Sequence, residues 1–345
     1  MKSVMKIGLG SFVIVGTVIG AGFASGREIL VFFGKDAKNI LFLFVTLFCS
    51  LFFLSLYFMS IGKRAKINCA KDMLTIKNAT AKNAVASILA ATFLVSTSSM
   101  LAGIDEIAKT TFGLSLPFAS IASFFVATFF IVKGVNGLKL ANSILVPVIL
   151  AFIIATSVFY LNKGLDLDFS VGNGFLTTTL NAVGYSLMNI LLAAVVLCKL
   201  GEGMSKCEMK FTAFFSSVII AAVVALFLLA MTNFKNLSGV PMPIITLAEG
   251  ISKNFANVSS CVIYFGIFTT LLASYYCLYE HIHSYAKSPC VSVLICFSLS
   301  FSLSRLGFAN IVAYFYPIES VLAVMLLACS RKRKIQLEES AIWNI

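Results

Sequence analysis

The stretch GTVIGAGFASGRE, residues 16–28, lies in the first long apolar segment of the chain. It contains Gly16, Gly20, Gly22 and Gly26, and each glycine weakens a helix by up to about 1 kcal/mol relative to alanine. Backbone groups freed in hydrocarbon need partners, so a helix break here is tolerated only where it is buried and lines a cavity. Carbonyls exposed at such a break can bind a cation, and free amides can bind a carboxylate. Close helix packing is the competing interpretation, because Gly16 and Gly20, and likewise Gly22 and Gly26, have the spacing of a small-xxx-small motif.

The composition is that of a membrane protein. Of 345 residues, 59% are hydrophobic and 12% are charged, whereas soluble domains carry roughly 25% charged residues. No polar stretch is long enough for an appended soluble domain, so residues 1–345 are predicted to form one transmembrane domain. The net charge of +12 lies mainly in short loops between apolar segments, where it sets membrane orientation. We therefore expect the lipid bilayer as a partner and no nucleic acid.

Ten segments have the length and hydropathy of membrane-spanning helices, which need about 20 apolar residues each. They are residues 6–33, 39–62, 84–111, 116–133, 139–161, 177–200, 209–232, 257–281, 289–305 and 308–330. Most of the 26 Lys and Arg residues fall on one side if the N-terminus is cytoplasmic, as the positive-inside rule requires. Both termini, including a short tail at 331–345, are therefore expected in the cytoplasm.

The spans divide into two halves of five, residues 6–161 and 177–330. Because each half has an odd number of spans, the second must be inverted relative to the first, a common plan among transporters. We predict an all-α membrane fold with two inverted five-helix repeats in which helices 1 and 6 are broken. Residues 241–257 are predicted to form a short amphipathic helix on one membrane face.

The segment from Gly16 to Ile29 resembles the signature of the YkvI family of bacterial membrane proteins. That family is similar to the amino acid–polyamine–organocation superfamily, whose fold is of the leucine-transporter type. The resemblance implies a location in the bacterial cytoplasmic membrane. It covers nearly the whole chain in the number and spacing of helices.

The resemblance also implies a sodium site. In sodium-coupled members of this fold, a G-x-x-V-G-x-G stretch in the first helix and a small-x-x-T-S stretch in the eighth supply oxygens. This chain has Gly16-x-x-Ile19-Gly20-x-Gly22 in the first and Gly266-Ile-Phe-Thr269-Thr270 in the eighth, with Thr in place of Ser. The implied sodium ligands are Gly16, Ile19, Gly266, Thr269 and Thr270. The alternative for the two threonines is hydroxyl bonding to their own helix.

Polar groups at membrane depth suggest a substrate site between helices 1, 3, 6 and 8. Free amides after the break would suit a carboxylate, whereas the third and sixth helices offer hydroxyls and an amide. For the sixth helix, interhelical hydrogen bonding is an equal alternative. The candidate substrate-binding residues are Ala21, Gly22, Phe23, Ala24, Ser96, Ser99, Tyr185, Ser186 and Asn189.

Several charged residues are candidates for a proton site or a gate. Glu319 lies near mid-bilayer, where a carboxyl is costly and is a functional hypothesis by default; a protonated, hydrogen-bonded glutamic acid is the alternative. Arg27 and Glu28 follow the break and could form an extracellular gate with a partner such as Asp105 or Glu106, or they could simply reach water at a helix end.

The function predicted from these features is secondary active transport, with sodium-coupled symport of a small polar organic solute such as an amino acid or an amine. The alternatives are proton coupling through Glu319, a channel, or a non-transporting receptor on the same fold. No catalytic motif is present, so no enzyme is predicted, and sodium is the one ion expected in place of a cofactor. The oligomeric state is left open.

Overall fold

A computed structural model describes residues 2–34, 38–113, 117–162, 174–232, 243–308, 310–311, 314–315, 318–319 and 321–330. Every regular element within these ranges is a helix. The helices are α1 (Lys2–Val18), α2 (Ala21–Ala24), α3 (Arg27–Phe33), α4 (Ile40–Arg64), α5 (Ala70–Met73), α6 (Ala79–Phe112), α7 (Phe118–Ile131), α8 (Val135–Asn162), α9 (Phe175–Glu202), α10 (Lys206–Thr232), α11 (Pro243–Glu249), α12 (Lys253–Ala286), α13 (Pro289–Ser304) and α14 (Val321–Ser330). The predicted tail at 331–345 lies outside the described residues.

The apolar helices coincide with the ten predicted spans. Among the described residues, six helices are long and apolar enough to cross a membrane, namely α4, α6, α8, α9, α10 and α12. Four shorter apolar helices, at Ser3–Val18, Phe118–Ile131, Pro289–Ser304 and Val321–Ser330, fall in the first, fourth, ninth and tenth predicted spans. The chain is therefore a membrane protein, and the all-helical prediction is confirmed.

Burial separates central helices from those that face lipid. The most apolar windows of α12 and α9 are 83% and 78% buried, against 22% for α4. Large apolar side chains such as Leu41 and Phe53 are 80% and 65% exposed on α4. An apolar outer surface around a bundle of central helices is the arrangement that hydrocarbon solvent favours.

The helices pack symmetrically when the two halves of the chain are compared, with the first span corresponding to the sixth, the second to the seventh, and so on to the fifth and tenth. The second span packs on the sixth (α4 on α9), and correspondingly the seventh packs on the first (α10 on α1). The third packs on the ninth (α6 on α13), and correspondingly the eighth packs on the fourth (α12 on α7). The second span also contacts the seventh, and the third contacts the eighth. Each of these two contacts joins a span to its own counterpart in the other half. This pattern is the one expected of two five-helix repeats related by a pseudo-two-fold axis.

The first span is broken where its glycines predict. Helix α1 ends at Val18, Ile19 and Gly20 are not helical, and α2 begins at Ala21. A second turn separates α2 from α3 at Gly26, whose φ of +80° lies in the left-handed region that favours glycine. The predicted interruption of helix 1 is therefore confirmed.

The predicted break in helix 6 is wrong. Helix α9 runs without interruption from Phe175 to Glu202. It contains a single mid-span glycine, Gly184, and one glycine weakens a helix far less than the four in the first span. In addition, Ser186 and Asn189 use their side chains to donate to carbonyls one turn back at 2.9 Å, so these polar groups are satisfied by a continuous helix.

The helix predicted at 241–257 is shorter and less exposed than expected. Helix α11 covers Pro243–Glu249, and Ile244 and Leu247 on it are buried. The Ile244 amide donates to the Ser25 carbonyl at 3.1 Å, and the Tyr160 hydroxyl donates to the Leu247 carbonyl at 2.6 Å. Helix α11 therefore packs on α12 and is hydrogen-bonded to the turn between α2 and α3.

Candidate functional site

A small cavity lies beside the break in the first span. It holds about 10 Å³ of space for a water-sized sphere, roughly the volume of a single water molecule. Its wall comes from five spans: the first, third, sixth, eighth and tenth. The lining residues are Thr17, Val18, Gly20, Glu28, Met100, Met188, Asn189, Leu192, Thr270 and Glu319.

Glu28 brings a carboxyl into this cavity from the first turn of α3. The residue is 6% exposed, and its side chain folds back over α2, where a methyl group on Gly22 would overlap the carboxyl group. Gly22 is therefore required for the close approach of Glu28. Sequence reasoning assigned Glu28 to a gate, whereas the structure places it at the centre of the bundle.

Glu319 brings a second carboxyl from the tenth span. It is 2% exposed, and neither carboxyl oxygen has a hydrogen-bond partner among the described residues. A buried carboxylate without a partner is strongly unfavourable, so such a group holds a proton or awaits a cation. Glu28 and Glu319 are the two titratable residues among those that line the cavity.

Thr270 supplies a hydroxyl to the same cavity from the eighth span. Its Oγ1 is buried and has no hydrogen-bond partner in the described part of the chain. It lies directly against the backbone of Gly20, where a methyl group would overlap the hydroxyl. The break in the first span and Thr270 are therefore in van der Waals contact.

The five predicted sodium ligands lie on helices that pack together. Helix α12 contacts both α1 and α2, so the oxygens of the first and eighth spans share one region. The Thr269 hydroxyl donates to the Gly266 carbonyl at 2.8 Å, as the alternative interpretation of that residue predicts. The Thr270 hydroxyl, in contrast, makes no hydrogen bond within the described part of the chain. The sodium site stays a prediction.

Sequence reasoning missed Asn142 of α8. Its side chain is fully buried, its Nδ2 donates to the Leu138 carbonyl at 3.0 Å, and its Oδ1 has no partner among the described residues. The Oδ1 atom lies where a methyl group on Gly16 would sit. An additional side-chain oxygen from the fifth span therefore faces the predicted ligand Gly16. Nothing in the local sequence around Asn142 indicates this, because the contact depends on the packing of α1 on α8.

The other predicted substrate residues divide between the cavity and the surrounding core. Asn189 lines the cavity, and Ser99 is buried with no hydroxyl partner among the described residues, next to the lining residue Met100. Ser186 instead bonds the Ser50 hydroxyl at 2.6 Å, which is an interhelical contact.

Three aromatic or hydroxyl positions are not among the residues that line the cavity. Phe23 is fully buried and stacks on Phe227 at 6.3 Å between ring centroids. Tyr185 is fully buried between Phe32 and Phe33, and Ser96 is buried. Ala21 and Ala24 contribute the backbone of α2; their side chains lie outside the described part.

The third-span acids proposed as gate partners, Asp105 and Glu106, lie on α6. Glu106 is exposed on α6, and its neighbour Asp105 forms an ion pair with Arg305 at 2.6 Å and accepts from the Ser120 hydroxyl at 2.8 Å. Asp105 therefore ties α6 to α7 and to the end of α13. Arg27 is half-buried at the start of α3.

The first span is broken and is buried among the third, sixth, eighth and tenth spans. Together with the two symmetrically packed halves of the chain, this arrangement is that of the leucine-transporter-type fold. Solved structures agree with this fold. The inward-facing conformation of Mhp1 gives a TM-score of 0.62 at 13% identity over 95% of this chain and 75% of that one. The manganese transporter of Eremococcus coleocola, in complex with an aromatic bis-isothiourea substituted compound, gives 0.63 at 13% identity over 96% and 78%.

Two relatives come from Bacillus subtilis (strain 168). The membrane protein YkvI is 24% identical over 314 residues, which cover 89% of this chain and 90% of that protein. The protein YyaD is 23% identical over 322 residues, which cover 92% and 93%. No family model matches the chain. The predicted resemblance to YkvI is thereby confirmed. YkvI is named as a membrane protein, and Mhp1 and the manganese protein are named as transporters.

Proposed function

We propose that the chain is a secondary transporter that binds a small polar solute in the cavity beside the break of the first span. The observation that carries this proposal is Glu319, which is 2% exposed in the centre of the bundle and shares its cavity with Glu28 and Thr270. Two acidic side chains at membrane depth are costly, and such residues in a polytopic protein usually serve substrate or ion movement. An interrupted helix at the same depth is tolerated where it lines a cavity of this kind.

The chemistry of the cavity favours a substrate with an ammonium group. A primary ammonium has three N–H donors, and the carboxyl groups of Glu28 and Glu319 offer acceptors from two different spans. Two carboxylates in one small cavity repel each other unless a proton or a cation lies between them. An amine or the amino group of an amino acid meets this requirement, and for an amino acid the free amides of α2 near Ala21 to Ala24 would suit the carboxylate.

The size of the cavity implies that the bundle opens to admit the rest of the solute. A volume of about 10 Å³ accommodates an ammonium head but not an organic side chain. Helix α11 is hydrogen-bonded to Ser25, in the turn between α2 and α3, and to Tyr160. In the proposed cycle, α11 and the halves of the first span move apart as one repeat rocks against the other.

Sodium is the coupling ion that we propose, bound by oxygens of Gly16, Ile19, Gly266, Thr269 and Thr270. The unpartnered Thr270 hydroxyl and the Asn142 oxygen against Gly16 both support an oxygen-rich cation site there. A proton carried by Glu319 is the second candidate, and the presence of two carboxyls in one cavity favours it. We further propose that the segment 63–82 and both termini lie in the cytoplasm of a bacterial cell.

Reconstituted protein separates these alternatives. The purified protein is first screened by thermal shift against amino acids, amines, nucleobases and Mn²⁺, with and without sodium. Proteoliposome uptake of each compound that binds is then measured with an inward sodium gradient at fixed pH, and with a pH gradient in the absence of sodium. Saturable uptake driven by sodium alone supports the proposed symport, and uptake driven by pH alone supports the second candidate. Binding without uptake would refute transport, and non-saturable flux would indicate a channel.

A further inference from the structure

A groove on the lipid-facing surface has the chemistry of a phospholipid-binding site. It lies between the C-terminal half of α4 and the first turns of α10 and has a volume of about 410 Å³, within the range of about 300–1,000 Å³ that ligand sites occupy. Along α4 the lining residues fall on one face, from Phe53 through Leu56 and Ser60 to Arg64. Along α10 they recur at a spacing of three and four residues, at Lys206, Met209 and Lys210, which is again one helix face.

The groove is apolar at one end and positively charged at the other, so that it could follow a lipid from its apolar acyl chain to its charged headgroup. Phe53 is 65% exposed at the apolar end, and Leu56 continues this apolar wall. Phe53 and Arg64 are eleven positions apart, which corresponds to about 16 Å of helix at 1.5 Å per residue. At the far end the groove is closed by four cations, all of them exposed: Lys63, Arg64, Lys206 and Lys210.

No Asp or Glu is among the described residues that line the groove beside Lys63, Lys206 and Lys210. The nearest acid along α10, Glu208, is engaged in capping the start of this helix, since its carboxylate accepts from the Ser3 hydroxyl at 2.7 Å and from the Ser205 amide at 2.7 Å. Lys63 donates to the Met204 carbonyl at 2.6 Å, which fixes one cation at the junction of the two helices.

The position of the two lysines on α10 also points to an anionic ligand. Lys206 and Lys210 lie in the first turns of a 27-residue helix, where the helix dipole is positive and cations are unfavourable. An anion bound beside the two lysines would offset this unfavourable interaction. Basic pockets between transmembrane helices at a membrane surface have the composition that binds anionic lipid headgroups.

We propose that the groove between α4 and α10 binds an anionic phospholipid, with its phosphate at Lys63, Lys206 and Lys210 and an acyl chain along Phe53 and Leu56. This site is separate from the cavity beside the broken helix and does not depend on transport. It would link lipid composition to the packing of the second span on the seventh, a pair that is equivalent under the exchange of the two repeats.

Native mass spectrometry and melting of the full-length protein in detergent micelles test the proposal. Phosphatidylglycerol is titrated against phosphatidylcholine with identical acyl chains, and inorganic phosphate serves as the soluble anion. We expect phosphatidylglycerol to bind and to raise the melting temperature, whereas phosphatidylcholine does neither. Each cation near a membrane surface contributes about fivefold in affinity, so Lys206→Gln/Lys210→Gln should weaken binding about 25-fold and Lys210→Gln alone about fivefold.

Two controls make the outcome decisive. Lys66→Gln/Lys77→Gln removes the same charge from exposed positions outside the groove and should change affinity less than twofold. Phe53→Ser should weaken binding of the lipid and leave that of phosphate unaltered. Equal binding of the two lipids, an equal effect of the control pair, or phosphate binding as strong as that of the lipid would each overturn the proposal.

Discussion

Replacing Glu319 by Gln tests the central site most directly. The substitution keeps the size and one acceptor oxygen of the side chain but removes its negative charge and its titration. If the carboxylate binds an ammonium group, the variant exchanges a charge-assisted hydrogen bond for a neutral one. Hydrogen bonds to charged groups contribute about 1.5–3 kcal/mol, and two unit charges 4 Å apart attract by about 4 kcal/mol at an effective dielectric constant of 20.

We expect a loss of about 2–3 kcal/mol in binding free energy, which corresponds to a 30- to 150-fold rise in the dissociation constant. Ligand-free protein should melt within a few degrees of the wild type, because the carboxyl that is removed has no hydrogen-bond partner among the described residues. A change confined to binding therefore separates a role in the site from a role in the fold.

The assay is titration calorimetry with an amine or amino acid that binds the wild-type protein, at two pH values. The wild type should bind the cation more tightly at the higher pH, because a carboxyl must lose its proton to accept an ammonium donor, and this dependence should weaken in the variant. Glu249→Gln, an exposed position on α11, is the matched control. A dissociation constant that changes less than threefold in Glu319→Gln, or equally in Glu249→Gln, would refute the assignment.

Three further substitutions address the ion site and the packing around it. Thr270→Ala should raise the sodium concentration for half-maximal uptake at least tenfold under sodium coupling, and unchanged sodium dependence would count against that site. Gly20→Ala places a methyl group into the Thr270 hydroxyl and should abolish uptake, whereas Gly8→Ala, which meets no atom within 4 Å, should not. Gly62→Ala overlaps the backbone of the sixth span and should destabilise the protein by about 1–3 kcal/mol. In chemical denaturation, Gly203→Ala, which has open space around it, should behave as the wild type.

Hydropathy predicted the spans because a helix in lipid must satisfy its backbone within the segment and present an apolar surface. The same physics made the break in the first span predictable, since Gly16, Gly20, Gly22 and Gly26 together weaken the helix over three turns. The break predicted in the sixth span was wrong, because that prediction rested on the symmetry of the repeats. The single mid-span glycine of this helix is insufficient to interrupt it. The expected symmetry of the two halves therefore predicted the arrangement of the helices better than it predicted local helix geometry.

The composition of the cavity could be predicted only in part. Glu319 stood out because its position near mid-bilayer can be counted from the end of the helix, and Thr270 was found through the resemblance. Glu28 lies in the linear sequence beside Arg27 at an apparent helix end, and only the fold of α3 over α2 turns it inward. Met100 and Met188, which line the cavity, have the same sequence signal as any core methionine.

The geometry of the break offers a physical basis for coupling in the proposed transporter. Gly20 lies against the Thr270 hydroxyl and Gly22 lies under the Glu28 carboxyl, so a single residue of chain separates the proposed ion site from the proposed ammonium site. Under the proposed function, an ammonium group beside Glu319 supplies the positive charge that this buried carboxyl lacks among the described residues. We expect a movement of the chain at Gly20 and Gly22 that disturbs one proposed site to disturb the other, because only Ala21 separates the two glycines.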